Sequence, residues 1–155
     1  MQIHVFNEQS DLPLSLKNVP SIVKAVIAFE GKKCDEVAIH FVDTKTICRL
    51  HEQFFDDASP TDCISFPMDS ADEKNPYTML GEVFVCPKTA LEYAKKHRVD
   101  VYEETTLYLI HGLLHLMGYD DISIKACTLM RSAEKRHMTN LIERGLIIKN
   151  LKSEI

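Results

Sequence analysis

The sequence predicts an α+β fold in which several helices pack on a small mixed β-sheet. Three observations carry that prediction. Short apolar, β-branched runs are confined to the part of the chain before Pro87, stretches with helical spacing fill the rest, and no repeat or linker-like tract divides the 155 residues. Residues 1–155 therefore read as a single domain, long enough to bury a core of its own.

Met1–Phe6 alternates in polarity and predicts an edge strand. Ser21–Glu30, entered just after Pro20 and closed by Gly31, reads as a short helix. Asp35–Val42 is strand-like, with Val37, Ile39 and Phe41 on one face. Thr44–Phe55 places Ile47, Leu50 and Phe54 at helical spacing. Cys63–Met68 and Leu80–Cys86 predict two more strands, joined by the polar stretch Asp69–Tyr77 as a long exposed connection. Pro87 suits the first turn of a helix running to about His97. Asp100 and Glu103 resemble a capping box for a helix reaching Met117, which Gly118 stops. A last helix is expected from about Ser123 to Arg144.

Hydrophobic residues make up 45% and charged residues 26% of the chain, the balance of an ordinary globular protein. No run approaches the roughly 18 uncharged apolar residues of a membrane-spanning helix, and Met1–Phe6 lacks the basic start and apolar centre of a signal peptide. Cys34, Cys48, Cys63, Cys86 and Cys127 are odd in number and scattered. They read as thiols of a reducing compartment packed as small core residues, so a cytoplasmic protein is expected. The formal net charge of −5 argues against unspecific coating of nucleic acid, and any such contact needs a local basic patch.

The chemistry concentrates between His111 and Asp121. Two histidines four apart project from one helix face, a turn apart, so both imidazoles can reach one metal ion. Gly118 then turns the chain and delivers Asp121 as a third ligand. Three protein ligands and an open fourth position are the arrangement of catalytic zinc, whose water becomes a nucleophile near neutral pH. Seven histidines in this chain give about 0.3 such pairs by chance. Spacing alone thus leaves open two core histidines satisfied by backbone carbonyls, with Asp120 or Asp121 capping the last helix. Two histidines and a carboxylate are also the ligand set of non-haem iron oxygenases, and another divalent ion fits the same atoms. A metallopeptidase built on H-x-x-x-H needs a glutamate after the first histidine, and this chain has Gly112 there, which leaves that activity improbable. The missing side chain suits a close-packed strand or substrate backbone instead.

The same segment resembles the signature of the YbeY family of bacterial single-strand-specific endoribonucleases of ribosomal RNA maturation, H-G-x-L-H-L-x-G-Y-D-H. Every fixed position matches except the last, where the family has a third histidine and this chain has Asp121. Pro60-Thr61-Asp62-Cys63-Ile64-Ser65-Phe66-Pro67 is similar to the family's P-T-D-V-L-S-F-P, and Leu80-Gly81-Glu82-Val83-Phe84-Val85-Cys86 to its L-G-D-I-V-I-C. The resemblance implies a zinc-dependent single-strand-specific endoribonuclease of ribosomal RNA maturation and ribosome quality control. One Zn(2+) on His111, His115 and Asp121 would present the water that attacks the phosphodiester. The implied partners are single-stranded RNA, ribosomal RNA above all, with ribosomal subunits or assembly proteins, and no membrane. One departure bears on turnover: Phe55 stands where the family usually has an arginine that helps hold or activate the phosphodiester. The other, Asp121 for histidine, lowers the net charge of the metal site. A non-catalytic ribosome-assembly factor with a structural metal is the alternative that these departures keep open.

Further candidates come from residue type. Ser65 offers a hydroxyl to phosphate, or a bond within the sheet. Lys95, Lys96 and Arg98 form the densest basic cluster with His97 and are candidate RNA contacts, or a solvated helix end. Arg131 and Arg136 are further phosphate candidates on the last helix. Asp62 and Glu82 are expected to be solvated side chains, with a role as remote acid or base as the alternative, and His137 to lie on the surface.

Overall fold

The structure is a computed structural model and describes residues 1–71 and 74–154. In chain order the elements are β1 (Gln2–Glu8), β2 (Leu14–Ser15), α1 (Val19–Glu30), β3 (Glu36–Val42), α2 (Thr44–Phe55), β4 (Cys63–Pro67), β5 (Met79–Val85), α3 (Pro87–His97), α4 (Val101–Leu116), α5 (Ile124–Glu143), β6 (Lys149–Asn150) and a final 3-10 turn, Leu151–Glu154. The expected α+β architecture is what forms. A four-stranded sheet in the order β1-β3-β5-β4 is mixed: β1, β3 and β5 run parallel, and β4 pairs antiparallel with β5. The antiparallel pair β2–β6 ties the segment before α1 to the end of the chain. Within the Asp69–Tyr77 connection Ala71 is buried rather than exposed, and Asp72 and Glu73 lie outside the described residues.

Strand alternation divides the apolar residues between two layers. Val37, Ile39 and Phe41 of β3 and Val83 and Val85 of β5 join the main core, with Ile22, Val26, Leu109, Leu113 and Leu141 from the helices. The opposite face carries a smaller cluster, Val42, Ile64 and Cys86 under Ile47 of α2. Burying each leucine or isoleucine contributes about 1.5–3 kcal/mol, so the main core holds most of the stability. Its central element is α4, which lies across β4 and β5 and touches α1, α3 and α5.

Local signals set the helix ends. Pro87 opens α3 in its first turn. Asp100 caps α4, its carboxylate accepting from the Tyr102 and Glu103 backbone N–H groups at 2.8 and 2.9 Å. Asp43 caps α2 in the same way, accepting from the Thr46 N–H at 2.8 Å. Those bonds hold the Asp43 carboxyl below its ordinary pKa. Asp43→Ala is expected to cost about 1 kcal/mol at neutral pH. A depressed folded pKa means that the stabilisation is fully present above the unfolded value of about 3.9 and is lost as pH falls through the folded one. Urea melts of the two proteins should therefore differ at pH 7 and converge at strongly acidic pH.

Candidate metal centre

Helix α4 reaches the sheet so closely because residue 112 has no side chain. A Cβ on Gly112 would lie 2.4 Å from Cγ1 of Val83 and 3.2 Å from the Ser65 hydroxyl. The close-packed strand anticipated from Gly112 is thus β5. Ser65 donates its hydroxyl to the Gly112 carbonyl at 2.9 Å, which ties β4 to the helix at the turn where His111 stands. The chain leaves α4 at Met117, turns through Gly118 and returns Asp121 over the histidines. The Cys127 thiol, on the first turns of α5, donates to the Asp121 carbonyl at 2.8 Å and fixes that return.

His111, His115 and Asp121 come together. Their Nε2, Nε2 and Oδ2 atoms form a triangle with sides of 2.9, 3.5 and 3.6 Å. The point equidistant from all three lies about 1.9 Å from each, close to the 2.0–2.1 Å of a zinc ligand bond, so these three atoms would fit one ion. The other ring nitrogens explain the orientation. Nδ1 of His115 is 3.0 Å from the Tyr119 carbonyl, and Nδ1 of His111 is 2.7 Å from the Glu134 carboxylate. Both are acceptors, so each Nδ1 carries a proton and each ring directs its Nε2 towards the other and towards Asp121. Two imidazole nitrogens and a carboxylate oxygen this close together need a cation between them, a proton or a metal ion. The donor set therefore suits a metal ion, with Glu134 and the Tyr119 carbonyl as its outer partners.

Glu134 is 4% exposed and also accepts from Arg131 Nη1 at 2.8 and 3.1 Å. Burial works to raise its pKa, and the hydrogen bonds from His111 and Arg131 outweigh that, keeping it a carboxylate. Burial likewise works to lower the His111 pKa, but the Glu134 hydrogen bond and the charges of Glu134, Asp62 and Asp121 prevail and raise it. Glu134 escaped the sequence reading, and so did the position of His137, expected at the surface but fully buried, with Nε2 2.8 Å from Glu30. A second oxygen of Glu30 accepts from the Tyr119 hydroxyl at 2.7 Å, behind the carbonyl that orients His115. A signal for both existed: Glu134 and His137 share the helical stripe of Met130, Ala133 and Leu141.

The three residues open into a cleft of about 460 Å³ that is also lined by His51, Phe55, Thr61, Cys63, Ile64, Ser65, Pro67 and Tyr119. Burial, with the charges of Asp62, Glu134 and Asp121, pushes the Cys63 thiol well up, so it stays protonated. Lys95 and Lys96 close α3 and Arg98 follows it, all exposed and outside this lining. Asp62 spends its carboxylate on the Cys63 N–H at 2.7 Å, and Glu82 meets His40 at 3.1 Å. Glu82 shares the strand face of Phe84, away from α4.

The model of the Endoribonuclease YbeY family matches residues 4–142. The chain belongs to the YbeY endoribonuclease family. Endoribonuclease YbeY of Protochlamydia amoebophila is 60% identical over 147 residues, 95% of this chain and 97% of the relative. That of Chlamydia caviae is 32% identical over 153 residues, 97% of each. The solution structure of TM1509 from Thermotoga maritima superimposes with a TM-score of 0.62 at 26% identity, covering 88% of this chain and 87% of that one. Among the described residues no helix is long and apolar enough to cross a membrane.

Proposed function

We propose that this YbeY-family chain, acting as a single domain in the cytoplasm, is a zinc-dependent, single-strand-specific endoribonuclease of ribosomal RNA maturation and ribosome quality control. The observation that carries the reading is the convergence of two imidazole nitrogens and one carboxylate oxygen at the floor of an open cleft. A divalent ion bound there supplies a Lewis acid for the phosphoryl oxygens and brings the ionisation of water near neutral pH. The residues of the chain prepare that chemistry. Glu134 and the Tyr119 carbonyl hold the two Nδ1 protons, so both Nε2 atoms stay free for the ion. Asp121 adds a negative oxygen from a return loop held by Cys127. Two histidines, one carboxylate and an exchangeable fourth ligand are a donor set of catalytic zinc. Free thiols at all five cysteines agree with a reducing compartment.

Purified protein, freed of contaminating nuclease, is expected to cut a single-stranded oligoribonucleotide and to spare the same sequence in a duplex. A second reading, an assembly factor that binds RNA or ribosomal partners without cutting, is favoured by a cleft lining that, among the described residues, holds no lysine or arginine. Cleavage that disappears in His115→Ala would exclude it, and inactive wild-type protein would support it. Glu134→Gln keeps the side-chain volume but removes the charge that orients His111, so metal affinity should fall by about tenfold to a hundredfold. Competition with a chromophoric chelator measures that change.

A further inference from the structure

Phe55 is the last residue of α2, and Asp56 turns left-handed behind it with its N–H on the Glu52 carbonyl. The ring is therefore carried by a fixed helix end, yet it remains 55% exposed. It stands in the lining of the same cleft as His111, His115 and Asp121. Its neighbour Phe54 packs edge-on against Phe66. Phe55 instead has a ring contact with His51, at 5.9 Å between centroids and tilted by 55°. His51 is itself pinned, with Nδ1 2.8 Å from the Ser59 carbonyl. Two rings at different angles thus form one wall of the cleft.

The charges around that wall select what it can hold. Among the described residues no lysine or arginine lines the cleft, and Asp56 and Asp57 follow Phe55 directly. Phosphate is repelled from this corner, whereas the face of an uncharged heterocycle is not. We propose that Phe55 is a stacking platform for one unpaired nucleobase of an RNA strand whose phosphate lies at the metal centre. This rests on the endoribonuclease reading above. A base in a duplex has both faces covered by its neighbours, so only a single strand can present one to Phe55, and the platform contributes to strand selectivity.

The test is a binding cycle in chelator-treated protein, which cannot complete cleavage. Anisotropy of a labelled single-stranded oligoribonucleotide is measured with wild type, Phe55→Ala and Phe55→Tyr, using an intact strand and strands in which one abasic nucleotide is moved along the sequence. Stacking on an aromatic ring is worth about 1–3 kcal/mol per base, so Phe55→Ala should weaken binding roughly 5- to 150-fold while Phe55→Tyr retains it. One abasic position should cost wild type the same factor and cost Phe55→Ala nothing. Fold loss is not a concern for a ring this exposed, and a thermal melt of Phe55→Ala checks it. Equal affinities for wild type and Phe55→Ala, or an equal loss on every abasic strand, would overturn the platform. Cleavage by metal-loaded wild type together with that result would leave the nuclease standing. Base-dependent binding through Phe55 without any cleavage would uphold the platform and overturn the nuclease.

Discussion

His111→Ala protein is expected to lose its bound metal ion and to cleave single-stranded RNA roughly a thousandfold more slowly or not at all, because both the Lewis acid and the ionisable water depart with the ion. The effect is expected to be large because His111 supplies one of only three donor atoms, a corner of a triangle 2.9 to 3.6 Å on a side. His111 also bonds Glu134, a carboxylate that is 4% exposed and otherwise held by Arg131. Its removal should destabilise the fold by about 1–3 kcal/mol, the usual cost of an unsatisfied buried partner. His115→Ala separates the two effects. Its imidazole is more exposed and bonds only a backbone carbonyl on the Nδ1 side, so metal and cleavage should be lost with little change in melting temperature. Metal analysis, RNA cleavage and thermal melts of both variants distinguish a failed site from a failed fold.

Gly81→Ala should be the most damaging small substitution in the sheet. Gly81 has φ +145°, a region that side chains rarely enter, and a Cβ there would lie 2.3 Å from the Phe66 carbonyl oxygen and 2.9 Å from Cδ2 of Leu116. The residue sits where pairing between β3 and β5 slips, Glu36 facing Met79 and Val37 facing Gly81. Both the strand β4 and the end of α4 would have to give way. Strain and overpacking together should cost about 3 kcal/mol or more, a fall of roughly 6–12 °C in melting temperature for a chain of this size. Because Leu116 follows His115, metal affinity should fall as well. Circular-dichroism melts with and without added zinc measure both consequences.

Elements with a local cause were legible in the sequence. Thr44–Phe55 and Pro87–His97 were read with the bounds they have, since the helical spacing of Ile47, Leu50 and Phe54 and a first-turn proline are set within a few residues. The metal group was legible for the same reason, all three side chains falling within one helix and the turn after it. What escaped depends on distant partners. The pairing of Leu14–Ser15 with Lys149–Asn150 involves two residues on each side, too few to show periodicity. Glu134 meets a histidine 23 positions away, and the partner of His137 is 107 positions away. That Phe55 lines the same cleft as His111 and His115 depends on side chains more than 50 positions away.

Zinc titration into chelator-stripped protein, with RNA cleavage followed at each point, tests the central claim most directly. One ion per chain should bind, cleavage should return in proportion to its occupancy, and Asp121→Ala should weaken both together. Stripped protein that cleaves at the full rate, or zinc binding that survives the loss of His111 and His115, would contradict it.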